Sequence, residues 1–485
     1  MRPGRLGASL PIGASLWPAL RLLVLVALAA AGLGWLAAAF SPVIALAAAS
    51  VPLVLAVSLT WIEAGILFAL LAAVAVRAAV PTGTESPIVA SLLLSAMVVP
   101  IWLSRALFKG KAFRVRPAPT NAPLLGFLAM ALFSYFWGLL YRDPLVQTWP
   151  SFPFVQLGSL VVMLLLPAMF LVAANVIRHD GWLKAAVAVV AVDGLLGLVP
   201  GLSQTTSWEP PALLNTRGLF ALWFVVLSLG QALFNRRLGR GWRLLLLAGA
   251  LGWLGKVIGV STDWLSGWVP TLLGVTVLAA RRNLRFLLVV VLILAVIFAA
   301  NWSYFAKVLE NNRHESGDTR LDAAIRNWRI TRTHLLFGLG PAGYEAYYRT
   351  YIPETPMATH NNYLDILSET GLVGLGFFLW FMLALGLAAY RLSVRLRGEG
   401  GFREGYAAAA LAGWAGVVLA MFLGDWVIPY AYTQGIIGYD YALYNWIFLA
   451  GILSLEAMVA GQPGSLARGK GDCDEAGSVD LCGEL

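Results

Sequence analysis

His360 lies in Thr359-His360-Asn361-Asn362-Tyr363-Leu364-Asp365, where a long polar stretch gives way to an apolar run. An imidazole placed there can take a proton from a hydroxyl, the work of a general base. Asn361 or Asn362 can cap the helix that follows. That sets His360 beside the positive end of the helix dipole, which favours the neutral imidazole a base requires. The competing account is a surface histidine that merely tolerates an interface. Arg320, Arg326, Arg329 and Arg332 precede it, and a guanidinium matches phosphate oxygens with a bidentate fork. Their alternative is a solvated helix face pairing with Asp318 and Asp322. Arg217, in Leu214-Asn215-Thr216-Arg217-Gly218, stands at the end of an apolar run, where a charge is costly unless it has a partner or snorkels to water. Asp425 and Asp440, among Trp426, Tyr430, Tyr432 and Tyr439, read either as acidic helpers or as members of an interfacial aromatic belt. A helix N-cap accounts for Ser261 and Thr262.

Other chemistries leave no trace. His314, His334 and His360 show no metal-ligand spacing, so no metal is expected. A phosphate-cradling glycine loop and a GxSxG elbow are both missing. No series of mid-span charges marks an ion relay or voltage sensor.

The elements that must carry these residues follow from composition. Of 485 residues, 59% are hydrophobic and 12% charged, with mean hydropathy +0.77. A soluble domain carries roughly twice that charge, and a disordered chain needs low hydrophobicity. Apolar segments fall near residues 16–40, 42–60, 61–80, 88–108, 122–141, 154–177, 182–200, 212–234, 242–259, 263–280, 284–303, 364–391, 405–425 and 440–460. Each is about long enough to cross ~30 Å of hydrocarbon as a helix, and lipid excludes open backbone. The run after Leu16 passes Phe40, too long for a cleavable signal. The expected fold is therefore an all-α polytopic membrane protein of about 12–14 transmembrane helices. Residues 1–301 and 364–460 form its transmembrane parts, with a large, partly helical loop at 302–363 and a polar tail at 461–485.

The net charge of +9 sits in short loops rather than on an aromatic-studded basic face, so nucleic acid is not an expected partner. Basic clusters occur at 105–116, 235–243, 281–285 and 391–403, and such loops face the cytoplasm. The loop 302–363 then faces outward. It holds seven Lys/Arg, six Asp/Glu and three His, and loops of this length are usually functional or disordered. Leu321, Ile325, Trp328 and Ile330 give it a helical apolar pattern. Gly338-Leu339-Gly340-Pro341 breaks the chain, and Tyr344, Tyr347, Tyr348 and Tyr351 follow at helical spacing. Cys473 and Cys482 both fall in the tail, too few for a disulfide framework.

Phe337-Gly338-Leu339-Gly340-Pro341-Ala342-Gly343-Tyr344, with His360-Asn361-Asn362-Tyr363-Leu364 and Glu369-Thr370-Gly371-Leu372-Val373-Gly374-Leu375, resembles the signature of the O-antigen ligase and polymerase family of bacterial membrane glycosyltransferases. The resemblance implies transfer of a glycan from a polyprenyl diphosphate carrier to an acceptor hydroxyl at the periplasmic face of the inner membrane, without metal or cofactor. His360 would be the base and Arg320 the diphosphate ligand, with Arg326 beside it and Asn361, Tyr363 and Asp425 in support. A Ser-Arg-Gly-like motif usual in the family is replaced here by Thr262-Asp263-Trp264-Leu265-Ser266-Gly267, and no arginine occurs between Arg243 and Arg281. Arg217 is the substitute on the same face. The acceptor would be a lipid core or protein for a ligase, or a carrier-linked glycan for a polymerase. A lipid-linked glycan transporter, which forms no bond, and a membrane scaffold, which needs neither His360 nor the arginines, are the rivals.

Overall fold

A computed structural model describes residues 52–75, 79–80, 87–108, 115–204, 214–259, 265–312, 318–353, 358–430, 433 and 435–461. The expected span 16–40, most of 42–60, the turn at Ser261–Trp264, His314 and the cysteine-bearing tail lie outside these residues. The chain divides into two compact units at Trp61/Ile62. In the first, residues 52–60 are helical. All that follows belongs to the second.

Helices dominate it. α1 (Ile62–Ala75) leads through a two-residue antiparallel pairing of β1 (Ala79–Val80) with β2 (Ile88–Val89) to α2 (Ala90–Phe108), α3 (Asn121–Leu140), α4 (Phe152–Val176) and α5 (Asp180–Leu196). A short parallel pair, β3 (Ser203–Gln204) with β4 (Leu214–Asn215), precedes α6 (Phe220–Phe234), α7 (Arg240–Gly259), α8 (Leu265–Arg282) and α9 (Leu284–Ala300). The loop section holds α10 (Trp302–Asn312), α11 (Asp318–Thr331) and α12 (Gly343–Tyr351). The chain closes with α13 (Asn362–Arg395), α14 (Phe402–Ala420) and α15 (Gly438–Ala460).

Among the described residues, α3, α4, α7, α13 and α15 are long and apolar enough to cross a membrane. Shorter apolar helices lie at Ile62–Ala75, Ala90–Arg105 and Phe220–Phe234. This is the expected all-α polytopic architecture. Two expected spans are shorter than the apolar runs that suggested them. The 61–80 run ends its helix at Ala75 and continues as a strand, since Pro81 and Gly83 follow and neither favours helix. The 212–234 run starts its helix only at Phe220, because Gly218 takes φ 66° and Leu214–Asn215 pair as a strand. Arg217 therefore precedes the span.

Burial sorts the helices. Nearly every residue of α6 and α15 is buried, and α14 packs beside them. α9 buries none of its residues and exposes Leu288, Leu292 and Val296, as a helix apolar on every side does when lipid is its solvent. It turns by 82° at Asn301 into α10, which tucks Phe305 and Val308 inward and leaves Trp302 outward. That is the pattern of a helix lying along an interface.

α13 runs between two chemically different ends. At its far end the basic loops meet: Arg403 pairs with Asp180 at 2.9 Å, the Arg237 amide donates to the Gly400 carbonyl at 3.3 Å, and Arg282 donates to the Leu233 carbonyl at 2.9 Å. At its near end lie His360 and the loop helices.

The loop is pinned to α13 by an interlock. Gly371 interrupts the helix with φ 70°, ψ −173°, and the carbonyls freed around the break accept from the loop. Leu339 N–H donates to Ser368 O at 2.8 Å, Gly340 N–H to Glu369 O at 3.0 Å, and Leu372 N–H reaches back to Leu335 O at 2.8 Å. The glycines are obligatory here, since a Cβ on Gly338 would overlap the Glu369–Thr370 backbone and one on Gly371 the Leu336 carbonyl. Asn327 and Thr331 of α11 bond the Ser368 hydroxyl at 2.5 and 3.0 Å. α12 buries Tyr344, Tyr347 and Tyr348 in a small separate core with Phe152 and Ile330.

Gly371→Ala is expected to lower the thermal unfolding midpoint in detergent, because this extended, positive-φ backbone, open almost only to glycine, costs an L-residue about 1–3 kcal/mol before the Leu336 carbonyl is displaced. Gly376→Ala on the same helix, where a Cβ meets nothing within 4 Å, should leave it unchanged or raise it slightly, since alanine favours helix over glycine. Equal effects would contradict the interlock.

Candidate active site

α13 starts at an Asn361 N-cap, whose side-chain oxygen accepts from the Tyr363 and Leu364 amides at 3.0 and 3.3 Å. The residue before the cap, His360, adopts left-handed backbone with φ 47°. Histidine enters that region more readily than most residues, yet such a conformation persists only where neighbours enforce it. The enforcement is visible: Thr359 Oγ1 accepts from the Asn361 amide at 3.2 Å and donates to Asp365 Oδ1 at 2.5 Å. The twist turns the imidazole outward, with 48% of its side chain exposed.

Asn362 does different work. Its amide nitrogen donates to the Ile428 carbonyl at 2.7 Å, and its oxygen accepts from the Val427 and Ile428 amides at 3.0 and 3.4 Å. The segment after α14 is thereby folded back over the start of α13. α15 holds the same segment from the other side, Asn445 donating to the Trp426 carbonyl and Trp446 to the Val427 carbonyl, both at 2.8 Å. Trp223 of α6 fixes Asn445 at 2.6 Å. The outcome is the placement of Asp425, whose side chain has no exposed surface and whose Oδ2 lies 3.9 Å from His360 Nδ1.

Asp425 is the hub of the site. Its carboxyl group lies close enough to that of Asp365 for the two charges to oppose each other. Glu369, one turn further on and also fully buried, accepts from the Ala342 amide at 2.9 Å, and its charge acts on Asp365. Tyr430 is buried against all three acids. Arg320, on α11, lies within electrostatic range of the hub. Burial lowers the pKa of its guanidinium from the usual value, and the negative charge of Asp425 opposes that shift. His360 and Arg320, forty residues apart, thus both interact electrostatically with one carboxylate.

The remaining sequence candidates are distributed more widely. Arg326 acts electrostatically on Tyr344 of α12. Arg217 donates to the Tyr441 hydroxyl at 2.8 Å and lies 4.9 Å over that ring, so its recorded partners belong to α15. Tyr363 donates to the Val418 carbonyl at 2.9 Å and braces α13 against α14. Asp440 bonds Ser91, with Asn215 at 3.4 Å, as a separate buried group. Asp365 and Glu369 were not singled out from the sequence. Their signal was two acids one turn apart at the start of an apolar span, a costly placement that marks function or partnership.

A site of this kind, with an exposed imidazole beside a buried acid and an arginine within electrostatic range of it, can deprotonate a hydroxyl and neutralise an anion side by side. Residues 211–379 match the model of the O-antigen ligase family. The resemblance read from the glycine and histidine motifs is thereby borne out. The ligase-family stretch begins before Arg217, takes in the loop helices with Arg320 and His360, and stops inside α13. It includes Asp365 and Glu369 but not Asp425. The match supports ligase- or polymerase-type glycosyl transfer in general. No curated protein matches the chain.

Asn362→Ala should loosen the segment around Asp425, since each buried backbone group it orphans costs about 1–3 kcal/mol. Hydrogen exchange across residues 421–430 is expected to rise by more than tenfold, with α15 still protected. Unchanged exchange would remove Asn362 from its positioning role.

Proposed function

We propose that this protein transfers a glycan from a polyprenyl diphosphate carrier to an acceptor hydroxyl, at the periplasmic face of a bacterial inner membrane. The observation that carries this reading is that His360 lies 3.9 Å from Asp425 and Arg320 feels the charge of the same acid, at the end of α13 opposite the basic loops.

His360 takes the acceptor hydroxyl proton as the oxygen bonds to the anomeric carbon. The bond from that carbon to the diphosphate oxygen breaks, and the carrier diphosphate leaves with its electron pair. Arg320 neutralises the charge that builds on the leaving group, in a partly dehydrated setting where such neutralisation is strongest. Asp425, 3.9 Å from the ring, steadies the imidazolium once formed. The acceptor is a lipid core, a protein or another glycan.

In proteoliposomes supplied with a polyprenyl-diphosphate glycan, His360→Ala should reduce transfer by about 10²–10⁴-fold, the usual worth of a general base. His360 is half exposed, so the fold should survive. Arg320→Ala should cost about 10²–10³-fold, as loss of one transition-state charge ligand does, and Arg320→Lys, which keeps the charge and loses the fork, should recover part of it. Near-normal transfer by the histidine variant would remove His360 from the chemistry. Movement of the glycan lipid between leaflets without a new glycosidic bond would replace the reading with transport.

Single displacement also fixes stereochemistry. NMR of the product should show an inverted anomeric centre; retention would require a covalent intermediate that this arrangement does not provide.

A further inference from the structure

A cationic centre occupies the opposite end of the bundle. A cavity of about 300 Å³ opens between the ends of α6, α8, α13 and α14, lined by Arg236, Arg281, Arg282, Arg397 and Glu404 with Phe234 as its apolar wall. Four guanidinium groups and one carboxylate leave a net charge of +3 around it. Glu404 cannot serve all four. Its two oxygens already accept from the Gly398 and Gly400 amides at 2.9 and 2.6 Å, in a turn where both glycines have positive φ.

Charges that only orient a membrane protein need no more than solvation in a cytoplasmic loop. Arg236, Arg282 and Arg397 are exposed as that role allows, but Arg281 is drawn inward. One of its terminal nitrogens donates to the Ser393 carbonyl, while its Nε–H is buried with no acceptor. Arg397 lies close enough to repel it, against a weaker pull from Glu404. A buried, unmatched guanidinium donor amid like charges is an unfavourable arrangement unless an anion completes it.

We infer that this cavity is a binding site for a phosphate group, distinct from the His360 site and at the other end of α13. The phosphate supplies the acceptor that Arg281 Nε–H lacks and bridges Arg236 to Arg397 by forked contacts. It thereby fastens the ends of four helices together. The same chemistry is offered by the headgroup of an anionic phospholipid and by free phosphate. Arginine clusters between helix ends on a basic membrane face suit the first.

The test is thermal unfolding of the purified full chain in two arms. One uses nanodiscs of phosphatidylcholine with increasing phosphatidylglycerol; the other uses detergent with increasing inorganic phosphate. A saturable rise of the midpoint in the lipid arm alone identifies a headgroup, and a rise in the phosphate arm identifies the free anion. In either case Arg236→Ala with Arg397→Ala, both exposed and outside the packed core, should weaken the midpoint's concentration dependence by about tenfold per arginine. The Lys/Lys pair at the same positions should recover part of it. Arg285→Ala, an exposed basic residue that does not line the cavity, should leave it intact. No saturable rise in either arm, an undiminished rise in the double alanine variant, or an equal loss in Arg285→Ala would overturn the proposal.

Discussion

A carboxylate with no exposed surface has to be matched by protons, cations or hydrogen bonds, and at Asp425 that requirement organises the surrounding site. Asp365 adjoins it, Arg320 of the loop feels its charge, and His360 is held 3.9 Å from it at the cap of α13. These groups come from three separate stretches of chain. Any reaction at this end of the molecule depends on the backbone that carries Asp425 staying folded against α13. Asn362, Asn445 and Trp446 do that holding, all through hydrogen bonds to main-chain atoms rather than to the acid itself. Their side chains therefore set where the acid sits without consuming its charge.

The loop reaches the same point through the break in α13. A helix that ran straight through Gly371 would keep its carbonyls for itself and offer the loop nothing to pair with. The break leaves Ser368 and Glu369 carbonyls available, and the Gly338–Gly340 turn fits there because it has no side chains to collide with them. Arg320 sits on a helix anchored two turns later by Asn327 and Thr331 to that same Ser368. The glycine motif and the histidine motif are thus two faces of one joint, which is the physical reason for their appearing together.

Local patterns were legible in the sequence where the interaction is local. The Asn361 cap, the chain break at Gly338–Pro341, the tyrosine row of α12 and the loop arginines all depend on residues a few positions apart. What depended on remote partners was not legible. Asn361 and Asn362 were equal candidates for the cap, and only residues 427–428 distinguish them by claiming Asn362. Arg217 stands at the expected end of the bundle, but Tyr441, 224 residues away, holds its guanidinium. Asp365 and Glu369 read as stray charges in an apolar run until the segment after α14 folds over them. Hydrophobic runs also overstated two spans, since apolarity continues through Val80 and Leu214 where Pro and Gly impose strand or turn.

The central claim is that His360 and Asp425 act as one unit. A double-mutant cycle on glycan transfer tests it most directly, comparing His360→Ala, Asp425→Asn and the two together. Residues acting as a unit are strongly non-additive. The account predicts that once the imidazole is gone, Asp425→Asn adds little further loss. If the two losses instead multiply in full, the acid and the base work independently and the arrangement described here is not the catalytic one.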